Sequence, residues 1–103
     1  LFIEGLYAKE IPIASITQVD SNATVPDIKM RTNGMSLGEN NVGHFQTKEG
    51  KDVLLYLHSD DTNVTHIKTK NNEDIYINFK DSALSVDFPN KLKAVYRQPA
   101  KGK

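Results

Sequence analysis

The imidazoles of this chain are His44, His58 and His66, and with no cysteine among its 103 residues they are the first place to look for a metal. Zinc takes neutral imidazole, thiolate or carboxylate ligands around a single point. No two of these histidines have the spacing of a local ligand pair, so they would have to converge from separate strands. A surface or internally satisfied histidine is the expectation at His44 and His66. Asp60-Asp61 and Glu73-Asp74 are adjacent carboxylates of the kind that share general acid and base work. Each pair falls between strand-like runs and reads as a solvated turn. Ser15, Ser21, Ser36, Ser59, Ser82 and Ser85 include none in a Gly-x-Ser-x-Gly elbow, and no glycine-rich loop leads into a helix. The residues therefore point away from an enzyme, and no catalytic residue, metal or cofactor is assigned.

Binding chemistry has better material. Arg31 offers a fork of donors, and Asn33-Gly34 is a strong turn signal that would expose backbone amides beside it. Arg31, Asn33 and Gly34 are thus one candidate site for a carboxylate or phosphate, set against the commoner case in which Asn33-Gly34 serves the turn alone and Arg31 pairs with an acidic neighbour. The second candidate is basic. Lys91, Lys93, Arg97, Lys101 and Lys103 fall in the last thirteen positions with no acidic residue among them. Such a segment can lie against an anionic membrane surface, or it is the solvated side of a helix and its tail. Asn22-Ala23-Thr24 and Asn63-Val64-Thr65 match the glycosylation pattern and receive no role.

Thirteen basic residues balance thirteen acidic ones, so the field of the whole molecule is weak. With no aromatic interleaving of the basic residues, nucleic acid is not an expected partner. No run of eighteen apolar residues exists, and the opening Leu1-Phe2-Ile3-Glu4-Gly5-Leu6-Tyr7 has no basic region of the kind that starts a signal peptide. The chain starts without methionine, which suggests a piece of something longer, with any membrane anchor upstream.

The elements that must position these residues are mostly strands. Residues 2–7 and 10–13 read as two short strands, with Pro12 confining the second to an edge or a strand start. A helical turn and then a strand are expected through Ile13, Ile16 and Val19, followed by the polar loop Asp20-Ser21-Asn22-Ala23-Thr24 with Pro26 after it. Residues 27–33 alternate, Ile28 and Met30 against Lys29 and Arg31, and should end at Asn33-Gly34. Val42 to Thr47 is the next strand, with Gly43 and Phe45 opposite His44 and Gln46, and Glu49-Gly50 turns the chain. Val53-Leu54-Leu55-Tyr56-Leu57 is apolar throughout and reads as a central strand. Residues 63–69 and 74–79 form a hairpin through Asn71-Asn72, with Ile75, Ile77 and Phe79 on one face. Leu84, Phe88, Leu92 and Val95 or Tyr96 then recur at helical spacing. The closing helix is capped by Asp81 or Ser82 and kinked or restarted at Pro89. Residues 1–98 make one domain, and 99–103 a basic tail.

Several blocks in this order resemble those of the bacterial pleckstrin-homology-like domains. They are Gly5-Leu6-Tyr7 with Ile11 and Ile16, Arg31-Thr32-Asn33-Gly34, Gly38, Gly43-His44-Phe45, Leu55-Tyr56-Leu57, Ile67-Lys68-Thr69-Lys70 and Tyr76-Ile77-Asn78. The resemblance implies a mainly β fold, an antiparallel barrel or sandwich closed by one amphipathic helix. In such proteins the domain often follows membrane helices and its biochemical role is mostly unassigned. The function expected here is a non-catalytic interaction module whose partner is another protein or its own membrane-embedded region, the alternative being a regulatory domain that binds a small ligand near Arg31 and Asn33. The basic first loop of the lipid-binding eukaryotic members is missing, since only Lys9 beside Glu10 stands there, so inositol-lipid binding is not implied.

Overall fold

A computed structural model describes residues 2, 3 and 9–95. The short pair β1 (Phe2–Ile3) and β2 (Lys9–Glu10) is antiparallel. A 3-10 turn, Ile13–Ser15, follows where Pro12 O accepts Ser15 N at 2.9 Å, so the second expected strand stops short of Pro12. The remaining strands are β3 (Ile16–Asp20), β4 (Ile28–Leu37), β5 (Asn40–Thr47), β6 (Asp52–Leu57), β7 (Thr65–Thr69) and β8 (Asp74–Ile77). They form one sheet in the order β3-β7-β8-β6-β5-β4, antiparallel except where β8 lies parallel to β6.

That parallel pair explains the unbroken apolar run of β6. A strand buried on both faces gains from apolar residues at every position, not at every second one. On the first face Leu54 and Tyr56 join Val42, Ile67, Ile75 and Ile77, covered by Ile11 and by Leu92 of the helix α1 (Ser82–Val95). On the second, Val53 and Leu55 join Phe45, Val64 and Tyr76, covered by Ala23, Val25 and Ile28. Ile67 and Ile75 are both 0% exposed, and side chains so buried contribute about 1.5–3 kcal/mol each relative to exposure.

The cover of the second face is the polar stretch between β3 and β4. Its Ala23 N donates to Val64 O at 2.9 Å, and Lys48 N donates to its Asp27 O at 2.9 Å, so it runs from one side of the sheet to the other. The expected barrel is not closed. β3 and β4 are the ends of the strand order, and the segment joining them lies across a face instead of drawing them together.

The crossover from β6 to β7 is held by one buried side chain. Asn78 Oδ1 accepts His58 N at 2.7 Å, and its Nδ2 donates to Ser59 O and Asp61 O at 2.9 and 3.1 Å. Asp81 Oδ1 accepts Ala83 N at 2.9 Å and so caps α1, as expected of that residue. The helix runs unbroken through a buried Pro89. Its inward stripe is Ser85, half-buried Phe88, Pro89 and Leu92, while Leu84 and Val95 are 50% and 61% exposed, which corrects the expected stripe. The Ser85 hydroxyl sets this rotation by accepting Phe79 N at 2.9 Å and donating to Phe79 O at 3.1 Å. Tyr96, Arg97 and the basic tail lie outside the described residues.

Candidate interaction edge

The ten residues of β4 pair with the eight of β5, and the difference is absorbed at Lys29 and Thr32, where the register shifts. Both are bulges, which twist an edge strand and redirect its side chains. The Thr32 hydroxyl donates to His44 O at 3.2 Å and fixes the second one. Asn33-Gly34 is therefore not a turn. The strand continues through it to Leu37, and the chain reverses at Gly38-Glu39, with Gly38 at φ 61°.

What Gly34 does instead is allow close approach. It faces Gly43 across the pair, and a Cβ on it would come 2.5 Å from Val42 O. Gly43 sits at φ 121°, and a Cβ there would come 2.6 Å from Asn33 O and from Gly34 Cα. Both glycines are required by backbone contact rather than by a turn.

The bulge also separates the two polar candidates. Arg31 pairs with Phe45 and Asn33 with His44, and since neighbouring residues of β5 point to opposite sides, so do Arg31 and Asn33. They do not converge on one ligand, and neither lines a described cavity. Lys29, Met30, Arg31, Thr32 and Asn33 are all exposed, and the outer edge of β4 has no strand beside it among the described residues.

In α1, Lys91 and Lys93 are exposed but two positions apart, about 200° around the helix, and so flank Leu92 instead of sharing a face. Lys93 Nζ already donates to Ser21 Oγ at 2.8 Å. Arg97, the third basic candidate, falls outside the described residues.

Reading Glu73-Asp74 as a solvated turn pair misses the densest charge cluster of the fold. Asp74 is 3% exposed at the start of β8. Its Oδ1 lies 2.7 Å from His66 Nε2 and 3.3 Å from Lys68 Nζ, and its Oδ2 lies 3.1 Å from Lys51 Nζ. His66 Nδ1 is 3.5 Å from Asp20 Oδ2 on β3, and its ring stacks on Tyr76 at 4.5 Å. Burial pushes the Asp74 pKa up, but the hydrogen bonds from His66, Lys51 and Lys68 outweigh it and hold the carboxyl below its ordinary range. The partner effect raises Lys51, chiefly through its bond to Asp74. The signal in the sequence was the alternation itself, which sets His66 and Lys68 on one side of β7. Its register with β8, His66 to Tyr76 and Lys68 to Asp74, brings them to the carboxylate. With Lys68 and Lys51 each within 3.3 Å of one Asp74 oxygen and His66 between Asp74 and Asp20, the cluster ties β3, β7, β8 and the β5–β6 turn together.

The histidines stand apart, on β5, after β6 and on β7, and no group of at least three His, Cys, Asp or Glu side chains that could hold a metal occurs among the described residues. No helix is long and apolar enough to cross a membrane among those residues. A family model described as a bacterial PH domain matches residues 2–92. No curated protein and no solved structure matches the chain.

Proposed function

Because the chain belongs to the bacterial PH domain family, we propose that it is a non-catalytic interaction module that binds a protein segment by strand addition along β4. The observation that carries this reading is the length and exposure of that edge, ten residues with Met30 49% and Leu37 70% exposed. An incoming strand would take its affinity from main-chain hydrogen bonds and its specificity from alternate side chains. The bulges at Lys29 and Thr32 blunt the edge against indiscriminate pairing, leaving the stretch from Asn33 to Leu37 as the regular template. The partner is another protein or a membrane-embedded part of the protein to which this domain belongs.

Peptides selected on the immobilised domain supply the probe. Replacing Met30 and Leu37 together by Glu lowers their affinity at least about tenfold if side chains of this edge are read, a loss of roughly 1.4 kcal/mol. Unchanged affinity places the binding surface elsewhere.

A further inference from the structure

A cleft of about 530 Å³ opens between the start of the β3–β4 segment and the loop after β6, at the end of the sheet opposite the Asp74 cluster's turn. Its size falls in the range of small-molecule sites, roughly 300–1,000 Å³. Ala23, Val25, Leu57 and Val64 give it an apolar floor, and the other seven lining residues are polar, the rim residues Asp60 and Asp61 among them. Among the described residues no basic side chain lines it. We propose that this cleft binds a small organic cation, a primary ammonium carried on a short apolar body.

The two halves of that ligand follow from the two halves of the wall. An apolar body removes the apolar part of the wall from water, and an ammonium at the rim meets the exposed carboxylate of Asp60 with the charge of Asp61 beside it and, among the described residues, no lining cation to neutralise them. An anion of the same shape is repelled, and no group of three or more His, Cys, Asp or Glu side chains that could hold a metal ion occurs there among the described residues.

The rim is built rather than loose. Asp61 Oδ1 accepts Asn63 N at 2.9 Å and Asn63 Nδ2 at 2.7 Å, and the buried Asn78 holds the carbonyls of Ser59 and Asp61 from below. Those bonds to Asn63, its backbone amide first, keep the Asp61 carboxyl below its ordinary pKa. Its Oδ2 is shielded from solvent without a hydrogen bond of good geometry, although the Ser82 side chain lies near enough to favour the ionised form. Asp60 is exposed beside it. The negative charge of Asp61 is therefore fixed in place before a ligand arrives.

The test titrates benzylamine, benzoate and benzyl alcohol into the isotope-labelled domain and follows the amide signals of Val25, Leu57 and Val64. Benzylamine should shift them along a saturable curve at neutral pH, with benzoate giving no saturable shift and the alcohol a weaker one. Asp60→Asn, at an exposed position, should leave the melting temperature unchanged and weaken benzylamine about threefold, the scale of one exposed charge contact. Saturation by benzoate as strong as by benzylamine, no saturation by benzylamine, or an unchanged affinity in Asp60→Asn overturns the proposal.

Discussion

Gly34 on β4 and Gly43 on β5 meet face to face, and a Cβ added to either would come within 2.5–2.6 Å of the other strand's backbone. Real Cβ atoms do not come so close to backbone, so the strands would have to part. Gly34→Ala and Gly43→Ala should each lower stability by about 2–3 kcal/mol, Gly43→Ala the more because its φ of 121° is also strained for an L-residue. Gly38→Ala, in a turn with open space around it, should cost only about 1 kcal/mol. Urea denaturation of the three variants orders them, and equal costs would contradict the packing account.

Asp74 ties four parts of the sheet through His66, Lys51 and Lys68. Asp74→Asn leaves them without their carboxylate and should cost about 3 kcal/mol. The sign of the acid effect follows from its lowered pKa. The folded state holds the carboxylate ionised below the ordinary 3.8, so this stability is complete above that pH and is lost as pH falls through the folded value. Melting curves from pH 5 to pH 2 should show a steep loss in the wild type and a shallower one in Asp74→Asn. Parallel curves would remove Asp74 from this role.

His58 gives a second, separate pH effect. Burial first, and then the charge of Lys80, lowers its pKa below the ordinary 6.5. The unfolded chain then takes up the proton more readily than the folded one, so stability falls as pH drops from 6.5 through the folded value. His58→Gln should flatten the melting temperature between pH 7 and pH 5 and leave the acid loss due to Asp74 in place. A slope that survives this change would assign it to another group.

In α1 the buried and exposed leucines should separate cleanly. Leu92 is 4% exposed against the first-face core and Leu84 is 50% exposed. Leu92→Ala should cost about 3 kcal/mol and Leu84→Ala no more than about 0.5 kcal/mol. Asp81→Ala, which removes the helix cap, should lie between them at about 1 kcal/mol. Differential scanning calorimetry resolves these steps.

Much of the sheet was legible because period-two alternation is a local property. The β5–β6 turn at Glu49-Gly50, the central place of β6, and the β7–β8 hairpin through Asn71-Asn72 all follow from neighbours in sequence. What local pattern does not encode is which strand lies beside which. Asn33-Gly34 has the composition of a turn, but here the glycine is set by Gly43 on the facing strand. Asp74 looks like a loop carboxylate until the register of β7 brings His66 and Lys68 to it. The stripe of α1 was misplaced for the same reason, since Ser85 is drawn inward by its bonds to Phe79 and not by hydrophobicity. Arg31, Asn33 and Gly34 all fall on β4, but the bulge at Thr32, which depends on the pairing with β5 and not on local pattern, turns Arg31 and Asn33 to opposite sides.

Amide hydrogen exchange on the domain, free and with a peptide selected on it, tests the role of β4 most directly. Strand addition protects the β4 amides that face away from β5, alternating along the regular stretch from Asn33 to Leu37, and leaves those of α1 at their free rates. Protection confined to α1 or to the 59–62 loop, with β4 exchanging as in the free domain, would contradict it.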